Sequence, residues 1–274
     1  MTGRKWSKEE IEILKKYYPT ASRELLMKML PGRSWNAIQL KAGRLGLRRV
    51  AGNRCNLGPT PELAYIVGVL MGDGSVYVDK KGSYRIELQV RSEEFAKAFA
   101  QALKAIGLKP RVWGPYKPYT GKKPRYEVVA HSKEFVEWYR SLTIEKLEKL
   151  LEDDKLFISF LRGFYESDGS LCWKSKYKIL AIYNNNLRLL EFIKRRLEAL
   201  GFRKVRIYHN KGKTYMLTIQ YNKEEILRLL TLMKPVIKNE VVDYKRLFAK
   251  SRPRDEKGRF IPLRQNSCGA KLLE

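Results

Sequence analysis

A short motif occurs twice in the chain, and this internal repeat constrains the fold more than any other feature. The first copy is GVLMGDGS at residues 68–75, and the second is GFYESDGS at residues 163–170, 95 positions later. Two further segments, ALKAIGL at 102–108 and RLEALGF at 196–202, correspond at an offset of 94 positions. Such a steady offset predicts one supersecondary unit that is used twice.

Each repeat predicts the order helix, two strands, helix, two strands, helix, which is an αββαββα half of an α+β fold. The first helix should begin at Thr60-Pro61, with threonine as cap and proline in the first turn. The second should begin near Asp153 or Asp154. We expect the helices to end at Asp73-Gly74 and Asp168-Gly169, each glycine forming a left-handed cap. The halves are predicted at residues 60–150 and 151–250.

Small residues recur at four-residue spacing on both predicted helices, namely Gly68 and Gly72 on the first and Gly163 and Ser167 on the second. Small residues at this spacing let two helix backbones approach closely. If the two repeats pack through these surfaces, Asp73 and Asp168 lie side by side at the helix ends.

The two aspartates occupy an electrostatically unfavourable position, because the C-terminal end of a helix is already negative. The mismatch costs about 0.3–1 kcal/mol unless a cation offsets it. Hard oxygen ligands suit Mg²⁺ or Mn²⁺, and paired metal sites suit attack of water on a phosphodiester. The predicted metal site comprises Asp73 and Asp168 with the preceding Gly72 and Ser167. Two ordinary buried helices are the alternative, which the repetition disfavours.

The charge balance favours a polyanionic partner. Lys and Arg number 56 against 29 Asp and Glu, which gives a formal net charge of +27. Double-stranded DNA fits this charge, whereas a membrane surface is disfavoured because the basic residues are not confined to one amphipathic helix. Three distant cysteines and two histidines argue against a structural zinc site. The sequence shows no targeting signal, so we expect a cytoplasmic or organelle-matrix location.

Residues 60 to about 250 resemble the LAGLIDADG homing endonucleases in their single-chain form, which has two motifs. The resemblance implies a saddle of two sheets over DNA, with the catalytic metals bound by Asp73 and Asp168. It also implies accessory residues that hold the attacking water: Gln89 or Arg91 in the first half, and Asn184 or Asn185 in the second. The implied activity is intron-type, metal-dependent cleavage of both strands of a long asymmetric site by a monomer.

Two other functions stay open for this scaffold. One is a regulator that binds DNA without cleaving it, and the other is a maturase that assists splicing of intron RNA. Both motif acids are intact, which favours cleavage over binding alone. No residue separates a maturase from a nuclease, and the two activities are compatible.

Alternating polar residues on the predicted strands suit the reading of base edges in a major groove. In the first half these residues are Arg85, Glu87, Gln89 and Arg91. In the second half Lys174, Lys176 and Lys178 are predicted to share one face, with Arg206 and Gln220 on neighbouring strands. A plain solvated face is the alternative interpretation for any one of them.

Residues 1–50 predict three short helices, with a capping box at Ser7 and Glu10 and an N-cap at Ser34. The segment from Trp6 to Leu47 resembles a Myb/SANT-type helix-turn-helix. The resemblance implies a third helix that offers Asn36, Gln39, Leu40 and Arg44 to bases, and Arg33, Lys41, Arg48 and Arg49 to phosphates. A protein-binding bundle is the alternative. Residues 51–59 are predicted as a linker, and 251–274 as a basic flexible tail.

Overall fold

The computed structural model describes residues 5–19, 21, 23–47, 55–80, 82–117, 123–174, 177–209, 212, 214–220 and 223–238, with side chains left out at 172–178, 220 and 223. The chain divides into two compact units, Met1–Asn53 and Arg54–Glu274. Within the described ranges, every helix is too short or too polar to cross a membrane. The predicted tail at 251–274 and the predicted DNA contact Arg48 lie outside the described residues.

The first unit contains the three predicted helices, α1 (Lys8–Tyr17), α2 (Arg23–Met29) and α3 (Trp35–Arg44). The capping box at Ser7 and Glu10 is present, and the Ser34 side chain accepts a hydrogen bond from the Ala37 backbone N–H. The core of this unit consists of Leu14, Tyr18, Leu26, Leu30, Ile38 and Ala42. The three-helix prediction is therefore confirmed.

Arg33 belongs to the interior of this first unit, contrary to its predicted place near phosphates. Its guanidinium donates to both carboxylate oxygens of Glu10 at 2.9 and 2.7 Å and to the Lys5 carbonyl at 2.6 Å. It also stacks 4.3 Å from the centre of the Trp6 ring, and the residue is only 8% exposed. Arg33 ties the N-terminal segment to the turn before α3, so it is not free to contact a phosphate.

The first half of the second unit follows the predicted αββαββα order. Its elements are α4 (Pro61–Met71), β1 (Ser75–Val78), β2 (Tyr84–Val90), α5 (Glu93–Ala105), β3 (Arg111–Tyr116), β4 (Arg125–His131) and α6 (Lys133–Arg140). The described strands form an antiparallel sheet in the order β1-β2-β4-β3. Helix α7 (Ile144–Leu150) then leads to the second half.

The second half repeats this order. Its elements are α8 (Asp154–Asp168), β5 (Gly169–Lys174), β6 (Tyr177–Asn184), α9 (Leu187–Ala199), β7 (Val205–His209), β8 (Tyr215–Gln220) and α10 (Lys223–Met233). The described strands form a sheet in the order β5-β6-β8-β7, which matches the first sheet strand for strand. The predicted α+β class and the internal pseudo-symmetry are both confirmed.

The two halves have separate apolar cores, one under each sheet. Leu147 of α7 packs into the second core, and Leu150 packs against both cores. At the other end, Cys55 and Leu57 pack against the first core, and the Asn56 backbone N–H donates to the Ile106 carbonyl at 2.8 Å. The latter part of the predicted linker is therefore packed onto the first half.

Helices α4 and α8 pack against each other at the small residues, as predicted. A Cβ atom on Gly68 would overlap the Phe160 carbonyl oxygen and lie 2.9 Å from the Phe164 nitrogen. A Cβ atom on Gly163 would likewise overlap the Tyr65 carbonyl oxygen. The backbones are in contact at these positions, and no larger residue fits without displacing a helix.

The predicted left-handed caps at Gly74 and Gly169 are wrong, because neither glycine adopts a positive φ. Gly169 is extended and leads directly from α8 into β5. A Cβ atom at Gly169 would lie 2.5 Å from the Tyr165 carbonyl oxygen, and one at Gly74 would lie 3.0 Å from Leu70 Cα. Glycine is required there for close approach of the turning chain to its own helix.

Candidate metal and DNA-binding site

The two motif aspartates lie at neighbouring helix ends. Asp73 follows α4 by two residues, and Asp168 is the last residue of α8. A Cβ atom on Gly72 would lie 3.3 Å from Asp168 Cγ, which shows how closely the two ends converge. Asp73 is exposed, whereas Asp168 is half-buried. The predicted juxtaposition of the two motifs is therefore present in the fold.

Each carboxylate is held in an environment that disfavours its charge. Lost hydration raises the pKa of Asp73, and the positive charge of Lys238 offsets part of this rise. For Asp168, lost hydration is the largest cause, and the charge of Asp73 adds to it. The pKa of Asp168 is raised to about 6 although Asn184 and Lys238 both act to lower it. A divalent ion would relieve this destabilisation.

Lys238 was not predicted from the sequence, yet it places a positive charge at the two helix ends. Its Nζ atom donates to carbonyl oxygens in the last turn of α8 and just beyond it. The acceptors are those of Tyr165 at 3.3 Å, Glu166 at 2.9 Å, Ser167 at 3.0 Å and Gly169 at 2.6 Å. Ser167 was predicted as a metal-site residue, and its carbonyl oxygen already accepts from this lysine.

Asn184, at the end of β6, lies beside the second acid, whereas its predicted alternative Asn185 does not. Asn184 Nδ2 donates to Asp168 Oδ2 at 2.8 Å and to the Met71 carbonyl at 3.3 Å. Asn185 is exposed, and its Oδ1 accepts from the Thr214 hydroxyl at 3.1 Å. The geometry therefore favours Asn184 as the accessory residue of the second half.

The first acid lines an open cleft of about 450 Å³ together with both accessory residues predicted for the first half, Gln89 and Arg91. Arg125 and Lys238 also line this cleft, so three basic side chains converge near Asp73. Arg125, on β4, was not predicted. It enters the site because β4 pairs with β2, a contact that no local pattern in the sequence encodes.

The open face of the first sheet contains a hydrogen-bonded network centred on Glu87. This carboxylate accepts from the Tyr77 hydroxyl at 2.6 Å, Gln89 Nε2 at 2.8 Å and Arg85 Nη2 at 3.3 Å. Glu87 is only 9% exposed, so it holds Arg85 and Gln89 in place and presents little of itself to a partner. Ile86, Leu88 and Val90 form the opposite, packed face, as the alternation predicted.

The second sheet departs from the sequence prediction at its first hairpin. Strand β5 ends at Lys174 and β6 begins at Tyr177, so Lys174, Lys176 and Lys178 do not lie on one continuous strand. Lys174 pairs with Tyr177, and Lys178 pairs with Trp173. The turn breaks the two-residue alternation on which their shared face was predicted. Lys176 lies outside the described residues.

Other predicted DNA contacts occupy neighbouring strands of that sheet or the third helix of the first unit. Arg206 of β7 is exposed and pairs with Thr218 of β8, and Gln220 pairs with Ile179. On α3 the exposed positions include Asn36, Gln39 and Arg44, together with Leu40 at 57% exposure. The side chains of Arg206 and of these α3 residues are available to a partner.

The pair of acids suits a metal ion that is shared with a substrate. Among the described residues there is no cluster of three or more His, Cys, Asp or Glu that could bind a metal without further ligands. Mg²⁺ commonly binds through one or two carboxylates and completes its shell with water and substrate phosphates. The donor set of Asp73 and Asp168, with repulsion between their charges, fits this mode of binding.

A family model for the LAGLIDADG-like domain matches residues 60–143 and 157–234. Two uncharacterized proteins of Methanocaldococcus jannaschii are similar to this chain. One is 37% identical over 167 residues, which cover 59% of this chain and 62% of the relative. The other is 34% identical over 187 residues, which cover 62% and 65%. The chain thus spans less than two thirds of the length of these two relatives.

A third relative is the homing endonuclease I-DmoI of Desulfurococcus mucosus, 28% identical over 171 residues, or 57% of this chain and 79% of that protein. A crystal structure of I-DmoI with DNA and Mn covers 63% of this chain and 96% of its own, at TM-score 0.47 and 24% identity. Full-length DUF199/WhiA from Thermatoga maritima matches at TM-score 0.50 and 19% identity, covering 76% and 68%. The match to this family model covers more than half of the residues, so the chain belongs to the LAGLIDADG-like domain family.

Proposed function

We propose that the protein is a site-specific endonuclease of the intron-homing type that hydrolyses both strands of DNA with the help of divalent metal. The observation that supports this most is the convergence of Asp73 and Asp168 at the ends of two helices whose backbones are in contact. Both carboxylates have a raised pKa, and each αββαββα half contributes one of them. Duplicated acids at one junction suit chemistry that is performed once on each DNA strand.

Asp73 and Asp168 would hold Mg²⁺ or Mn²⁺, and phosphate oxygens of the substrate would supply further ligands. A bound metal would lower the pKa of a coordinated water and stabilise the charge that develops on the phosphate. Asn184 keeps Asp168 oriented through its 2.8 Å hydrogen bond. Arg91 and Arg125 line the cleft beside Asp73, where their charges attract a phosphate.

DNA is the partner that best fits the charge and the sheet surfaces. The chain has a net charge of +27, and its sheets offer polar side chains such as Arg85, Gln89 and Arg206 on their open faces. Phosphate contacts would supply most of the affinity, and contacts with base edges would supply the specificity. The relative I-DmoI is named a homing endonuclease, which supports the same assignment. The first unit would add a helix-turn-helix contact through α3.

The test is cleavage of a plasmid library of candidate insertion sites by the full chain with Mg²⁺, with EDTA as the metal-free control. Asp73→Asn and Asp168→Asn should each abolish double-strand cleavage and leave DNA binding largely intact, because each removes a metal ligand and leaves the sheets unchanged. Wild-type cutting rates in either variant would overturn the metal assignment. Sequence-specific binding by the wild type without cleavage would identify a non-cleaving DNA-binding protein.

A further inference from the structure

Lys238 lies five residues after the end of α10, on a segment that crosses the end of α8. Its ammonium group donates to the carbonyl oxygens of Tyr165, Glu166, Ser167 and Gly169 at distances between 2.6 and 3.3 Å. An ammonium group has three protons, so these four contacts leave it no unused donor. Its charge is also close enough to Asp73 and Asp168 to lower the pKa of both.

The segment that leads to Lys238 is fixed independently of the lysine side chain. The Val236 backbone N–H donates to Glu166 Oε1 at 2.6 Å, and Glu166 is only 1% exposed. The same carboxylate accepts from the Tyr65 hydroxyl of α4 at 2.5 Å and from Arg162 at 3.2 Å. Glu166 therefore joins α4, α8 and this segment. These contacts hold the Lys238 ammonium group in a defined position.

The position is one where negative charge accumulates. The last carbonyl groups of α8 carry the negative end of the helix dipole, and two carboxylates lie beside them. Without a cation, bringing Asp73 and Asp168 together would cost Coulomb repulsion as well as lost hydration. The sequence alone suggested that a metal ion offsets this charge, whereas the structure supplies a cation from within the chain.

We propose that Lys238 is a resident cation that keeps Asp73 and Asp168 assembled before any metal ion binds. It is a positioning residue, because its protons are used by backbone carbonyls and it acts on the metal through the two carboxylates. The inference extends the metal-binding part of the proposed function. Because the Ser167 carbonyl accepts from Lys238, we expect the metal to be bound mainly through the two carboxylates.

A double-mutant cycle in the full-length chain tests this role without metal. Lys238→Met should lower the midpoint of thermal unfolding in EDTA, because it removes the cation that is fixed at the two helix ends. The loss should be smaller in an Asp73→Asn, Asp168→Asn background, where the repulsion is already removed. Lys234→Met is the matched control. Lys234 has a positive φ, as Lys238 does, but its side chain is exposed. If Lys238→Met does not fold, Lys238→Gln replaces it in the cycle.

Metal titration supplies the second measurement. Saturating Mg²⁺ should raise the unfolding midpoint of Lys238→Met more than that of the wild type or of Lys234→Met, because the ion replaces the missing charge. An equal loss of stability in both backgrounds would overturn the inference and leave Lys238 as a cap of α8. If Mg²⁺ stabilises no variant while the cycle shows coupling, the metal site fails and the role of Lys238 stands.

Discussion

Asn184 Nδ2 donates a 2.8 Å hydrogen bond to Asp168 Oδ2, and the orientation of this amide is fixed from its other side. The Asn186 backbone N–H donates to Asn184 Oδ1 at 2.9 Å, so the Asn184 NH₂ group must face the acid. The same NH₂ group donates to the Met71 carbonyl of α4. Asn184 thus connects the second sheet to both helix ends and directs one Asp168 oxygen, which leaves the other available to a metal.

Replacement of Asn184 by alanine should lower the rate of DNA cleavage by about 10–100-fold, the usual cost of losing a group that orients a metal ligand. DNA binding should change little, because Asn184 faces the helix ends. Asn185→Ala is the matched control, since Asn185 is exposed and bonded to Thr214. Equal cleavage by the two variants under single-turnover conditions would contradict the role of Asn184.

The raised pKa of Asp168 predicts a specific pH dependence of stability in metal-free protein. Its ordinary value of 3.8 rises to about 6 in the fold, so the folded state retains a proton that the unfolded state releases. The contribution of Asp168 to the free energy of unfolding is therefore fully present below about pH 4 and is lost as the pH rises through about 6. Mg²⁺ should oppose this loss, because it stabilises the ionised carboxylate.

Urea unfolding in EDTA across this range would test the pH prediction. The difference in free energy of unfolding between wild type and Asp168→Asn isolates the one titrating group, since the remaining carboxylates are common to both proteins. A difference that stays flat between pH 4 and pH 6 would show that Asp168 titrates at its ordinary value.

The contact between α4 and α8 predicts that Gly68→Ala and Gly163→Ala each destabilise the second unit. The added methyl would overlap a carbonyl oxygen of the facing helix, so the helices must separate and draw the acids apart. Overpacking of this kind costs about 1–3 kcal/mol. Gly43→Ala in α3 is a control, because nothing lies within 4 Å of its Cβ position. It should stabilise the first unit by about 0.5–1 kcal/mol, as measured by urea unfolding.

The fold was predictable to a large extent because its main determinants are local and repeated. Capping residues such as Ser7, Ser34 and Thr60 mark helix starts, and alternation from Tyr84 to Val90 marks a strand. Because the same order of elements occurs twice, the assignment of each half supports the assignment of the other. The three lysines at 174–178 were misassigned because period-two spacing does not reveal the turn that interrupts it.

Residues of the site were predictable only where they belong to a motif or follow it at a known position. The two aspartates follow from the repeat, and Asn184 from its position after the second motif. Lys238 and Arg125 have no motif and reach the site through tertiary contacts. The Asp-Gly pairs suggested left-handed caps by analogy with other helix ends. The actual requirement at Gly169 is close approach to Tyr165, which depends on the direction in which the chain leaves the helix.

The exposed face of α3 predicts two separable effects on DNA binding by the first unit. Lys41→Ala should lower the slope of binding affinity against salt by about 1, because a lost phosphate contact releases one counterion fewer. Gln39→Ala should change base preference with little effect on the slope. Arg33→Ala is unsuitable as a test of contact, since its loss breaks the Glu10 and Trp6 interactions. Unchanged affinity and slope in both variants would indicate a protein partner for this unit.

The two halves differ at the site, and this asymmetry predicts the form of the target. Gln89 and Arg91 line the cleft beside Asp73, whereas Asn184 bonds Asp168, so the two acids have different neighbours. The open faces differ as well, with Arg85 and Gln89 on β2 and Arg206 on β7. Different side chains contact different base edges, so the recognised sequence should show little inverted repetition.

Because one chain contains both motifs, a single molecule should bind the site and cut both strands. Two identical chains related by a two-fold axis would instead favour a near-palindromic sequence. The unequal surroundings of Asp73 and Asp168 further predict unequal rates for the two strands, and hence a transient nicked intermediate on a supercoiled plasmid. Sedimentation of the protein with its target should give one protein per DNA duplex. A stable complex of two proteins on a palindromic site would contradict the single-chain assembly and the pairing of the two repeats within it.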